Sequence, residues 1–263
     1  MTWDVPFEKT SDCSFADGKL DWFLGGKLNA SVQCLDRHIA TRGDQTALIW
    51  EGDEPGHVQS VSYRELLRLT CRAANVLKAH GVQCGDRIVI YMPSCILAAA
   101  MMQAAARIGA VHAVVFAGFS PESLARRIAD SGAEVLVTMD AFSRGGARVP
   151  LKQLAHAAVT SPASGGKIRH VLVSRREAGY SDYPTDARDV DLDAALARAS
   201  DTCPAVSVPS EHPLYLLYTR HVSVLLCVSV HVSCNSGMCV CVCVCACVCV
   251  CVCVCVCVMQ DDA

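Results

Sequence analysis

The sequence predicts an α/β fold built on a doubly wound, mostly parallel sheet with flanking helices, and three observations carry that prediction. Short apolar runs of strand type, such as 87–91 and 111–116, recur along the chain. Longer segments with apolar residues at helical spacing lie between them. The two kinds alternate from residue 62 to residue 219, which is the pattern of βαβ crossovers.

Residues 1–45 are turn-rich, with Asp17-Gly18 and Gly25-Gly26 punctuating apolar pieces, and are expected to form an extended wrap with little regular structure. Ser62 and Glu65 then make a capping-box signature. Leu66, Leu67, Cys71, Ala74 and Leu77 follow on one helical face, and Gly81 ends that helix. A buried strand over 87–91 comes next, then a small-residue helix over 94–107 and a strand over 111–116. Ser120-Pro121-Glu122 opens another helix, which closes near Gly132. Strand 134–139, helix 152–159, strand 170–174, helix 191–200 and strand 214–219 complete the series.

With 263 residues and 52% hydrophobic content, the chain can bury a sizeable core. A net charge of -3 without a basic block gives no footprint for nucleic acid or an anionic membrane surface. Six of the 18 cysteines lie in residues 1–219 as widely spaced singles, which suits reduced thiols in an intracellular protein. The other twelve lie in residues 220–263. No secretion or import signal is visible at the amino terminus, and a cytoplasmic or mitochondrial-matrix location is expected. Pattern alone stops at an α/β domain, because such sheets host many chemistries.

Longer words narrow this. In order, the chain carries Trp22-Phe23-Leu24-Gly25-Gly26-Lys27-Leu28-Asn29, Cys34-Leu35-Asp36-Arg37-His38 and Ala47-Leu48-Ile49-Trp50-Glu51-Gly52. It continues with Gly85-Asp86-Arg87-Ile88-Val89-Ile90-Tyr91-Met92-Pro93, Ala106-Arg107-Ile108-Gly109-Ala110-Val111-His112, Val115-Phe116-Ala117-Gly118-Phe119-Ser120-Pro121-Glu122 and Pro213-Leu214-Tyr215-Leu216-Leu217-Tyr218-Thr219. These words resemble the AMP-forming acetyl-CoA synthetases of the adenylate-forming superfamily, in the same order and through most of residues 1–219. The resemblance implies an amino-terminal wrap segment over 1–45 and a partial AMP-binding domain over 46–219. It also implies a two-step ligase: acetate and ATP with Mg give acetyl-adenylate and pyrophosphate, and the CoA thiol then displaces AMP.

Carried over position by position, the resemblance assigns CoA contacts to Phe116, Ala117 and Gly118 at a strand end and to Arg144, Gly145 and Gly146 in a glycine-rich loop. Small residues let a ligand approach the backbone, and a guanidinium fork can bond a phosphate bidentately. Many family members carry Gly where this chain has Ala117, whose methyl could restrict that approach. Arg148 is the weaker candidate for a second basic contact. Against these stand plainer readings: Arg144 as a solvated loop residue, Phe116 as a core strand residue, and Gly25-Gly26 as a turn. His38 and His112 lack partners at ligand spacing and read as structural. No catalytic residue and no metal site is assigned.

After Tyr218-Thr219 the family continues into Ser-Gly-Ser-Thr-Gly, a loop around the ATP phosphates, whereas this chain reads Arg220-His221-Val222-Ser223. The ATP site, acyl pocket, metal-binding acid and carboxy-terminal lid are therefore expected to be missing, and the chain alone is expected to be inactive. Residues 220–263 read as an unrelated low-complexity tail. Cysteine alternates with valine from 239 to 258 apart from Ala246, as a GTGTGT nucleotide repeat would be translated. Such a repeat is expected to self-associate as extended chain. Its 21 apolar residues over 238–258 meet the length of a membrane span, so membrane contact is expected only if this tail inserts. Two alternatives stay open: a non-catalytic CoA- or partner-binding isoform, and a propionyl-CoA synthetase fragment.

Overall fold

A computed structural model describes residues 1–14, 16–52, 56–176 and 183–218, together with the backbone of two strands in the repeat. The chain opens with a hairpin of β1 (Lys9–Ser14) and β2 (Lys19–Leu24), then β3 (Lys27–Leu28), α1 (Ala30–Cys34) and α2 (Ile39–Arg42). A second hairpin, β4 (Thr46–Glu51) and β5 (Val58–Ser62), leads into α3 (Tyr63–Ala79). The expectation of little regular structure before residue 46 is thus corrected. The β1 sequence Lys-Thr-Ser-Asp-Cys-Ser is polar and has no buried residue, so it lacks the alternating apolar face by which a strand is recognised. It is held instead by the left-handed turn at Gly18 and by Lys9 and Lys19, both paired with Asp12.

From Ser62 onward the expected series is present. Ser62 and Glu65 form a complete capping box on α3. Next come β6 (Arg87–Met92), α4 (Ile96–Arg107), β7 (Val111–Phe116), α5 (Pro121–Ser131) and β8 (Val135–Met139). A small hairpin follows, β9 (Phe142–Arg144) with β10 (Ala147–Val149), and then α6 (Leu151–Thr160) and β11 (His170–Ser174). The described body ends with β12 (Asp189–Asp191), α7 (Leu192–Arg198), β13 (Val208–Pro209) and β14 (Tyr215–Leu216). The expected strand over 214–219 is therefore two residues long, and Thr219 lies outside the described residues. In the repeat, Cys241–Ala246 and Val250–Cys255 are extended and pair antiparallel, while the rest of residues 219–263, the repeat's thiols and their expected self-association lie outside the description.

The main sheet has the order β12-β11-β8-β6-β7-β14, and every pair in it is parallel. The chain steps from β6 outward to β7, then crosses back over β6 to β8 and on to β11. Right-handed crossovers therefore put α4 on one side and α5 and α6 on the other. Helices α3 and α7 join α4's side. Between the layers Ile88, Val89, Ile90, Leu136 and Leu172 are fully buried, which is why these strands read as continuous apolar runs.

The amino-terminal segment is bound into this body by polar groups. The Asn29 side-chain amide donates to the carbonyls of Ala106 and Val206, each at 2.8 Å, while its Oδ1 caps α1 through the Ser31 amide. Nearby, Arg107 makes a two-pronged ion pair with Asp36 at 2.8 and 2.9 Å. Strand β3 pairs with β13 at the far end of the described chain.

Candidate functional site

In a doubly wound sheet, ligands bind outside the carboxyl ends of the strands. Strand β7 ends there with Phe116, whose side chain is 53% exposed, so its reading as a core residue does not hold. The following turn is closed by the Phe119 amide donating to the Phe116 carbonyl at 3.0 Å. Tyr91 sets that turn from beneath: its hydroxyl donates to the Phe119 carbonyl at 2.8 Å. The Tyr91 side chain is fully buried, and burial pushes its phenol up to about 12, so it remains a neutral donor. Ala117 packs its methyl into the main core, so the methyl does not narrow the ligand side of the turn.

The glycine-rich loop lies beyond β8. Asp140, fully buried, anchors its root by accepting from the Ala141 and Arg176 amides at 2.7 and 2.9 Å. Gly145 and Gly146 have φ of 57° and 77°, the two left-handed positions of a tight type I′ turn joining β9 to β10. Arg144 and Ala147 face each other across this turn, and Arg148 pairs in register with Ser143. Strand alternation puts Arg148 on the opposite face of the hairpin from Arg144. One arginine, not two, therefore lies on the Phe116 side.

The hairpin brings the Arg144 guanidinium over the Phe116 ring, 5.1 Å from its centroid. Gly118 sits beneath both: a Cβ there would come within 2.7 Å of Arg144 Nη1 and 2.8 Å of Phe116 Cε1. Phe116, Gly118 and Arg144 thus form one surface, Gly145 and Gly146 build its rim, and Ala117 belongs to the floor. An exposed arginine beside an exposed ring can take a phosphate on the cation and a planar base on the ring. Phe119, edge-on to Phe116 at 5.9 Å, and Arg127, 4.7 Å over Phe119, extend the cluster.

Sequence reading missed Tyr91, Phe119 and Arg127. Only Tyr91 carried a signal, as the one hydroxyl in the buried run 88–92 of β6, where its oxygen must find a partner. Of the two histidines read as structural, His38 lies against Tyr63 at 5.1 Å, and His112 is buried against Tyr215. Gly25-Gly26 closes a turn, the Gly26 amide donating to the Phe23 carbonyl. Among the described residues, no group of three or more His, Cys, Asp or Glu side chains could hold a metal ion.

A doubly wound sheet with an arginine-bearing hairpin at its carboxyl edge defines an α/β protein with a candidate ligand surface at its strand ends. The chain belongs to the AMP-binding enzyme family, whose model matches residues 35–219, and residues 1–34 match the acetyl-coenzyme A synthetase N-terminus. It is 48% identical over 221 residues to acetyl-coenzyme A synthetase of Methylobacterium radiotolerans, covering 83% of this chain and 34% of that protein. It is also 48% identical to the human acetyl-coenzyme A synthetase 2-like, mitochondrial, covering 83% of this chain and 31% of that one. The chain thus spans about a third of the length of these relatives. An acyl-CoA synthetase from Brucella canis shares the fold with a TM-score of 0.59 at 23% identity, over 75% of this chain and 32% of that one.

Proposed function

We propose that this chain carries the CoA-nucleotide surface of an AMP-forming acetate–CoA ligase. The whole reaction joins acetate to CoA through an acetyl-adenylate, with ATP and Mg as co-reactants. The observation that carries this reading is the close assembly of Phe116, Gly118 and Arg144 in a chain of this family: a base can stack on the ring, a phosphate can pair with the guanidinium, and the glycine keeps a side chain out of the way. The residues present fit a CoA nucleotide. For ATP, the sequence after Thr219 offers no glycine- and hydroxyl-rich loop to hold its phosphates.

We therefore expect the 263-residue chain to bind CoA but not to form the adenylate. Propionate in place of acetate would use the same CoA surface. A cytoplasmic or mitochondrial-matrix location is the expected one, the human relative being named mitochondrial, and among the described residues no helix is long and apolar enough to cross a membrane. Calorimetric titration of the intact chain with CoA, run beside an assay for acetate-dependent pyrophosphate release, tests the proposal. Binding without turnover is the expected pair of results. Turnover by the purified chain, or no CoA binding at millimolar ligand, would count against it.

A further inference from the structure

Arg127 is clamped between two rings. Its guanidinium carbon lies 4.7 Å from the centroid of Phe119 and 5.2 Å from that of Tyr218. Its own helix holds it as well, since Nη1 donates to the Ser123 carbonyl at 2.9 Å and to the Ser123 hydroxyl at 2.5 Å. The Tyr218 hydroxyl donates to the Asp130 carboxylate at 2.8 Å, so the second ring is fixed to α5 too. On the other side Phe119 meets Phe116 edge-on, and Phe116 carries Arg144. Cations and rings thus form one continuous ladder from the hairpin tip, around the end of β7, to Tyr218 just after β14.

We propose that Arg127 is a positioning residue for the nucleotide surface: it fixes the plane of Phe119, and through it that of Phe116, without touching the ligand. The inference rests on the CoA reading given above. A ring at 53% exposure has few neighbours to hold its orientation, so the edge contact from Phe119 matters to it. Phe119 in turn is held by a guanidinium that its helix has already oriented. Rings ordered in this way lose their freedom before the ligand arrives, and binding then costs less entropy. Arg127 presents its faces to Phe119 and Tyr218, whereas Arg144 stands at the exposed hairpin tip, so the two arginines have different tasks.

The test uses the intact chain and two probes, 3′-phosphoadenosine 5′-diphosphate, which is the nucleotide end of CoA, and inorganic pyrophosphate as a phosphate without a base. Arg127→Ala should weaken the nucleotide about tenfold while leaving pyrophosphate within about twofold, and Arg127→Lys should restore part of the loss. Phe119→Leu, which keeps apolar bulk at the turn, should show the same selective loss. Arg144→Ala should weaken both probes. Unchanged nucleotide binding in Arg127→Ala overturns the proposal, and so does equal loss of both probes, which would make Arg127 a folding residue only. If the parent chain binds neither probe, the CoA surface itself fails, and its positioning residue with it.

Discussion

Arg144 and Phe116 are 28 positions apart in the sequence, yet the guanidinium of one covers the ring of the other at 5.1 Å, and Gly118 is the only residue type that fits beneath them. Gly118→Ala would push a methyl into both groups. We expect it to displace Arg144 from the ring and to weaken CoA binding by about 1–2 kcal/mol, with little change in thermal stability because the position is exposed. Titration calorimetry and a melting curve on the same sample check this.

Arg144→Ala removes a charge-assisted phosphate contact. It should raise the dissociation constant for CoA by roughly tenfold to a hundredfold, with Lys at this position restoring part of the loss because it keeps the charge but not the planar fork. A variant that binds CoA as the parent does would return Arg144 to the role of a solvated loop residue.

The series from Ser62 to β11 was legible in the sequence because its signals are local. The capping box at Ser62 and Glu65, the left-handed cap at Gly132, and the apolar runs of β7 and β11 all stand where they were expected. The amino-terminal hairpins were not, since β1 has no apolar face and is held by ion pairs. Of the site, Phe116, Gly118 and Arg144 were legible only through family resemblance. Phe119 and Arg127 were not legible at all, because their contacts join a loop, a helix and β14's end across the fold and leave no periodic trace.

Arg107 offers a test of packing. Its side chain is 6% exposed, and its guanidinium meets Asp36 and the Cys203 carbonyl. Arg107→Ala would strand Asp36, which is about a third exposed, and should destabilise the body by about 3 kcal/mol. Asp36→Asn, which keeps hydrogen-bond acceptance, should cost less. Urea unfolding of both variants gives the comparison.

His112 predicts how the protein responds to acid. Burial pushes its imidazole from an ordinary 6.5 down to about 4, and Nδ1 has no hydrogen-bond partner. The folded state therefore holds this side chain neutral, while the unfolded chain takes up a proton below pH 6.5. Its contribution to stability is whole above pH 6.5, declines by up to about 3 kcal/mol as pH falls toward 4, and is flat below that. His112→Phe keeps a ring against Tyr215 and should flatten stability across this window in a pH series of melting curves.

An apolar strip lies along the outer strands of the sheet, with Val114, Phe116 and Leu217 each at least 40% exposed. The chain should therefore brighten a dye that reports exposed apolar surface, and Val114→Ser combined with Leu217→Ser should dim it. A parent chain that leaves the dye dark would mean that something covers this strip.

Asn29 has to wait. Two of its acceptors, the Ala106 and Arg107 carbonyls, lie in the last turn of α4, but the Val206 carbonyl is 177 residues further on. A ribosome delivering about 5–20 residues per second needs on the order of ten seconds or more to supply it. Until then the amino-terminal segment has a buried-to-be amide without its last partner and no β13 for β3 to pair with. The residues around Asn29 are thus secured long after they are synthesised, and during that interval they are open to a chaperone or a protease.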